Sequence, residues 1–154
     1  MRGWDRLKQW LPAILWASLI SLASTDTFSE SHTSSVIDPI LHWLFPGAGP
    51  ETLEFMQFLI RKSAHFTEYF VFSVLLLRAL KEKNQRWRLR WAIWALFIAA
   101  GYSALDEFHQ SFVASRTASP WDSLLDTTGA AAAQIVLGLW ARIGSGISRL
   151  SPGS

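Results

Sequence analysis

The nine residues Arg61-Lys62-Ser63-Ala64-His65-Phe66-Thr67-Glu68-Tyr69 set Arg61, Lys62, His65 and Glu68 into a stretch that is otherwise apolar through Leu80. Two further polar clusters follow: Asp106-Glu107-Phe108-His109-Gln110, and Arg116 with Asp122 and Asp126. These residue types point to three kinds of work. His65, Glu68, Asp106 and Glu107 are the candidates for proton transfer, since carboxylates and imidazole act as general acids and bases once their environment tunes them. Arg61, Lys62 and Arg116 are the candidates for gripping a phosphate or carboxylate, arginine by two parallel hydrogen bonds. Tyr69, Gln110, Asp122 and Asp126 are candidates for orienting whatever is bound.

Other chemistries find less support. His65-x-x-Glu68 with Glu107-x-His109 offers nitrogen and oxygen ligands for a divalent ion, but the spacing matches no zinc signature and the chain has no Cys. The sequence therefore names no metal and no cofactor. Ser63 and Ser103 lie near the clusters, yet nothing beside them marks an activated nucleophile.

Ionisable groups inside an apolar segment are costly. On insertion scales a charge near a bilayer centre costs ~2.5 to 3.5 kcal/mol, so such groups face a bundle interior, a wet cavity or a partner. At helical spacing Arg61, His65, Glu68 and Phe72 run down one face, and Lys62, Phe66 and Tyr69 down an adjoining one. The remaining elements must bring partners to them.

Those elements read as an all-α, polytopic membrane protein. Arg2, Arg6 and Lys8 precede the apolar run Trp10 to Ala23. That run fits a cleavable signal peptide or a first membrane helix, and the retained helix is the expectation. Thr25 to Pro50 holds no Lys or Arg and reads as a loop, within which Val36 to Phe45 recurs at the spacing of a short helix lying on the membrane surface. Pro46-Gly47-Ala48-Gly49-Pro50 breaks it. The second span is expected over Phe55 to Leu80, the third over Trp91 to Leu105 and the fourth over Trp121 to Trp140. One domain covers residues 1–143, with a Gly/Ser-rich, flexible tail at 144–154.

Charge assigns the sides. All of the fourteen Lys and Arg except Arg61, Lys62 and Arg116 fall in the amino-terminal segment, the Arg78 to Arg90 joint or the last turns, the places that four spans put on one side. All of the twelve acidic residues except Asp5 and Glu82 then fall toward the other. Under the positive-inside rule both termini are cytoplasmic, and the three polar clusters lie at one depth in the outer half of the bilayer. Asp122 and Asp126 continue as Gly129 and Ala133, a face small enough for close helix contact. A formal charge of +2 with the basic residues at membrane joints gives no case for nucleic acid. Most of the nine Trp sit where interfacial anchors are wanted.

Two readings of the convergence stay open. In one, the polar residues only neutralise one another as interhelical glue. In the other they form a site, because interhelical polar contacts average only ~0.6 kcal/mol and so many ionisable groups exceed what packing needs.

The three motifs, together with Ser24-Thr25-Asp26 and Gly129, resemble those of the VanZ-like family of small bacterial membrane proteins, over most of the chain. Many relatives have Asn where this chain has Asp126. The resemblance implies a helix bundle in the bacterial inner membrane and a setting near cell-wall precursors, because the family's named member is associated with resistance to the glycopeptide antibiotic teicoplanin. The expected function is an outward-facing polar pocket that binds, and in an enzymatic version modifies, an anionic lipid-linked or cell-envelope molecule. A non-enzymatic accessory protein that alters antibiotic access is the alternative. A proton or solute transporter comes last, because no charged residue continues inward within the spans from Asp126, or from Glu68 before the basic exit at Arg78.

Overall fold

The computed structural model describes the backbone of residues 3–25, 30–81, 87–112 and 119–150, with side chains described from Trp4 to Gly144 except around the gaps. Arg116 lies outside the described residues, as do Lys83 and Arg86 of the basic joint. The described residues form five helices and no strand: α1 (Gly3–Ala23), α2 (Glu30–Leu44), α3 (Pro50–Leu80), α4 (Leu89–Gln110) and α5 (Pro120–Leu150).

Local chemistry sets several of these boundaries. Pro50 opens α3 behind an extended Gly49, a position where the missing N–H of proline costs nothing. α2 starts about a turn and a half earlier than its Val36 to Phe45 periodicity suggests, through Ser and Thr residues that favour loops. A tertiary contact accounts for this: Ser34 Oγ donates to Gln57 Oε1 of α3 at 3.0 Å, and Gln57 Nε2 donates in turn to the Asp38 carboxylate. At the far end α4 continues through the acidic cluster to Gln110, so Asp106, Glu107 and Gln110 are ordered on a helix rather than a loop.

α3 is the central element and packs against each of the other four. Its buried stripe is Tyr69, Phe72, Ser73, Leu76, Leu77 and Ala79. Small residues let α5 approach closely, with Ala130 and Ala133 fully buried. A methyl group on Gly129 would collide with the carbonyl oxygen of Phe66 and lie 3.1 Å from its carbon. This is the small-residue packing expected between membrane helices, where the apolar effect offers little drive and close van der Waals contact must replace it.

Much of the outside is apolar, and part of the inside is polar. Leu11, Leu15 and Leu19 of α1, Phe55 and Phe58 of α3, Ile93 and Phe97 of α4, and Ile135 and Leu139 of α5 are exposed, whereas Ser73, Ser103, Asp106, Glu107, Asp126 and Gln134 are buried. By length and composition one helix among the described residues fits a bilayer span on its own, Pro120–Gly144 of α5, with a mean hydropathy of 1.3.

Candidate functional site

The polar residues gather where α3, α4 and α5 meet. The buried stripe of α3 runs midway between the two faces read from its spacing, because a helix surrounded by four others is covered from more than one direction. His65 and Tyr69 therefore point into the bundle, with Glu68 at one edge of the stripe and Lys62 and Phe66 at the other.

Asp126 is the centre of the cluster, at 1% exposure. Its Oδ2 accepts a hydrogen bond from Ser103 Oγ of α4 at 2.8 Å, and the same hydroxyl lies 3.0 Å from Ser123 Oγ. Its Oδ1 stands 3.3 Å from His65 Nδ1 of α3, close enough for an ion pair but without the alignment of a hydrogen bond. Tyr69, fully buried, feels the charges of both Asp126 and Asp106. Its hydroxyl, His65 Nδ1 and Asp126 Oδ1 are all shielded from solvent and lack a well-formed hydrogen bond, although His65 and Asp126 face each other as an ion pair and the Tyr69 hydroxyl lies within reach of Ser103. Unmet buried polar atoms are rare in folded proteins, since each forfeits ~1 to 3 kcal/mol of solvation. Three in one cluster leave hydrogen-bonding capacity in the interior that the described contacts do not fully use.

Asp106 sits beside this centre, within electrostatic reach of Asp126 and His65. Its Oδ2 accepts from Ser24 Oγ at 2.6 Å and from Gln110 Nε2 at 3.1 Å, and Gln110 Nε2 also reaches Ser24 Oγ at 3.1 Å. The end of α1 is thereby tied to the end of α4. Glu107 accepts from the backbone N–H of Ser119 at 2.9 Å and feels Asp122, Asp126 and His65. Lys62 bonds the Asp122 carboxylate at the partly exposed rim.

Of the residues singled out from sequence, His65, Tyr69, Asp106, Glu107 and Asp126 share one electrostatic neighbourhood, with Gln110 bonded to it and Lys62 and Asp122 at its edge. Arg61 is half-buried on α3. Glu68 faces α1, although its charge still acts on His65: with Trp16, Leu19, Ile20, Leu22 and Ala23 it lines a groove against α1, where Trp16 Nε1 donates to its backbone carbonyl at 3.0 Å. His109 is exposed. His65, Glu68, Glu107 and His109 consequently do not gather, and among the described residues no three His, Asp or Glu side chains form a metal-ligand set.

Sequence reasoning missed three contributors. Ser24 and Ser103 hold the two buried aspartates, and Gln134 of α5 donates to Ser73 of α3, to its carbonyl at 3.0 Å and its hydroxyl at 2.8 Å. Single hydroxyls and amides carry no spacing signal; the clues were the place of Ser24 in the Ser24-Thr25-Asp26 stretch of the family resemblance and the closeness of Ser103 to the acidic cluster.

A family model described as VanZ/LLP1 matches residues 9–141, most of the chain. No curated protein and no solved structure matches it.

Proposed function

Starting from the fact that this chain belongs to the VanZ/LLP1 family, we propose that it is a four-span protein of the bacterial inner membrane whose outer half holds a ligand pocket for an anionic, lipid-linked or cell-envelope molecule. α1, α3, α4 and α5 are the proposed spans and α2 lies on the outer surface. The exposed apolar side chains on all four long helices support this, since contiguous apolar surface of that extent needs lipid or protein to cover it. So does length: at 1.5 Å per residue the 31 residues of α3 reach ~46 Å, beyond a hydrocarbon core of ~30 Å.

The observation that carries the pocket is the trio of buried atoms on His65, Tyr69 and Asp126 that lack a well-formed hydrogen bond. Around them Asp106, Glu107 and Asp126 make the described interior acidic. The portion of a ligand that enters must therefore bring hydrogen-bond donors such as hydroxyl, amide or amine groups. Its phosphate stays at the rim, where Arg61 and, from the sequence, Arg116 are the candidate contacts. In an enzymatic version His65 takes or gives the proton, with Asp126 orienting the imidazole and Asp106 and Glu107 as further acid–base groups. Through the family resemblance we extend this setting to tolerance of glycopeptide antibiotics such as teicoplanin.

Binding without turnover is the second reading. It is favoured by how completely Asp106, Asp122 and one oxygen of Asp126 are engaged by Ser24, Lys62 and Ser103. A transporter is disfavoured, because the described contacts between α3 and α5 next inward from Asp126 are those of Ser73 and Gln134, which carry no titratable group. The test is mass spectrometry of lipids and metals that co-purify with the protein extracted in native lipid. A phosphate-bearing, hydroxyl- or amide-rich envelope lipid, retained by the wild type and lost in Asp126→Asn, is expected. An identical lipid profile in both would refute the pocket.

A further inference from the structure

At the opposite end of the bundle, the start of α1, the end of α3 and the start of α4 enclose a cavity of about 240 Å³ lined by Arg6, Gln9, Trp10, Leu80, Lys81 and Trp91. Tyr69 and Lys81 are twelve residues apart on α3, ~18 Å along the helix, so this cavity is separate from the polar cluster. We propose that it is a binding site for the phosphate of an anionic phospholipid of the inner leaflet.

Three features make the site. Arg6 and Lys81 bring two positive charges from different helices, and neither has an ion-pair partner among the described residues. The Nε1–H of Trp91 is buried and unpartnered, a donor with nothing to donate to. Arg90 lies 4.3 Å over the Trp91 ring, which adds positive charge and holds the indole in place. Meanwhile Gln9 Nε2 caps the carbonyls of Arg78 and Lys81, the former at 3.0 Å. These carbonyls are the negative end of α3, and capping them removes groups that would repel an anion. The Trp10 and Leu80 side chains supply apolar walls, so the cavity accepts an anion attached to hydrocarbon better than a fully hydrated one. Basic pockets between helices on the cytoplasmic side are places where anionic lipid head groups bind.

The site rests on the same membrane orientation as the outer pocket but not on the pocket itself. The test uses the full chain in detergent, titrated with phosphatidylglycerol or phosphatidylcholine of identical acyl chains and followed by native mass spectrometry, with inorganic phosphate as competitor. Phosphatidylglycerol should be preferred. Arg6→Gln and Lys81→Gln should each weaken it about fivefold, as for loss of one surface cation. Trp91→Phe, which keeps the aromatic packing, should weaken it about tenfold through loss of a hydrogen bond to a charged group. Lys8→Gln, on the same helix but outside the cavity, and Asp126→Asn, in the outer cluster, should leave it unchanged. Equal binding of the two lipids, or an equal loss in Lys8→Gln, would overturn the proposal as general surface charge. Loss in Asp126→Asn would overturn it by moving the lipid to the outer site, and displacement by inorganic phosphate at lipid-like concentrations would make the cavity a soluble-anion site.

Discussion

Asp126 Oδ1 of α5 and His65 Nδ1 of α3 stand 3.3 Å apart in the interior, while the other oxygen of that carboxylate is held by Ser103. One edge of Asp126 is fixed and the other faces an imidazole that it does not properly bond. Asparagine there would keep the Ser103 contact through its carbonyl oxygen and change the charge beside His65. Asp126→Asn should therefore cost retention of the ligand more than it costs the fold.

The orientation of the bundle is testable without background, because the chain has no Cys. Gly47 between α2 and α3 has open space around the position a side chain would take, and Arg88 before α4 is exposed. In intact spheroplasts a membrane-impermeant thiol reagent should label Gly47→Cys and leave Arg88→Cys unmodified until the cells are opened. Labelling of Arg88→Cys alone would invert the assignment of sides.

Gly129→Ala should lower thermal stability, since the added methyl meets the Phe66 backbone, which cannot rotate aside as a side chain would. Overpacking of this kind costs ~1 to 3 kcal/mol. Gly101→Ala on α4 is the control: nothing lies within 4 Å of the new atom, and alanine is the better helix former by ~0.5 to 1 kcal/mol. Melting of both variants in one detergent should move in opposite directions.

Ser24 links α1 to α4 through Asp106. Ser24→Ala leaves part of that buried carboxylate unsatisfied and should cost ~1 to 3 kcal/mol, with less cost on an Asp106→Asn background. A double-mutant cycle should return a coupling of ~0.5 to 3 kcal/mol, and additive losses would mean that the contact does not hold α1.

Lys62 and Asp122 meet at the partly exposed rim. Lys62→Gln should cost no more than ~1 kcal/mol. The loss should shrink in molar salt, which screens such a pair. A large, salt-independent loss in melting would place the pair in a dry interior instead.

The helices and the meeting of the three motifs were legible because each rests on a repeated signal: apolar runs, charged joints and the small face from Gly129 to Ala133. The orientation of α3 was only half legible. Spacing alone offered the Arg61/His65/Glu68/Phe72 face and the Lys62/Phe66/Tyr69 face, and the packing partners chose the stripe between them. That choice took Tyr69 and His65 inward together and turned Glu68 toward Trp16 of α1. Ser24, Ser103 and Gln134 were not legible as contributors, since a single hydroxyl or amide becomes informative only when the helix facing it is known.

Thermal melting measured beside retention of the co-purified lipid, for His65→Gln, Asp126→Asn and the double variant, most directly decides between a ligand site and polar glue. A site should lose its ligand in each single variant while melting stays near the wild-type value, because the 3.3 Å contact between His65 Nδ1 and Asp126 Oδ1 lacks the alignment of a hydrogen bond and adds little to the fold. If instead each single change lowers stability by the ~3 to 5 kcal/mol of a broken buried pair and the double variant recovers it, His65 and Asp126 are partners and the pocket does not exist.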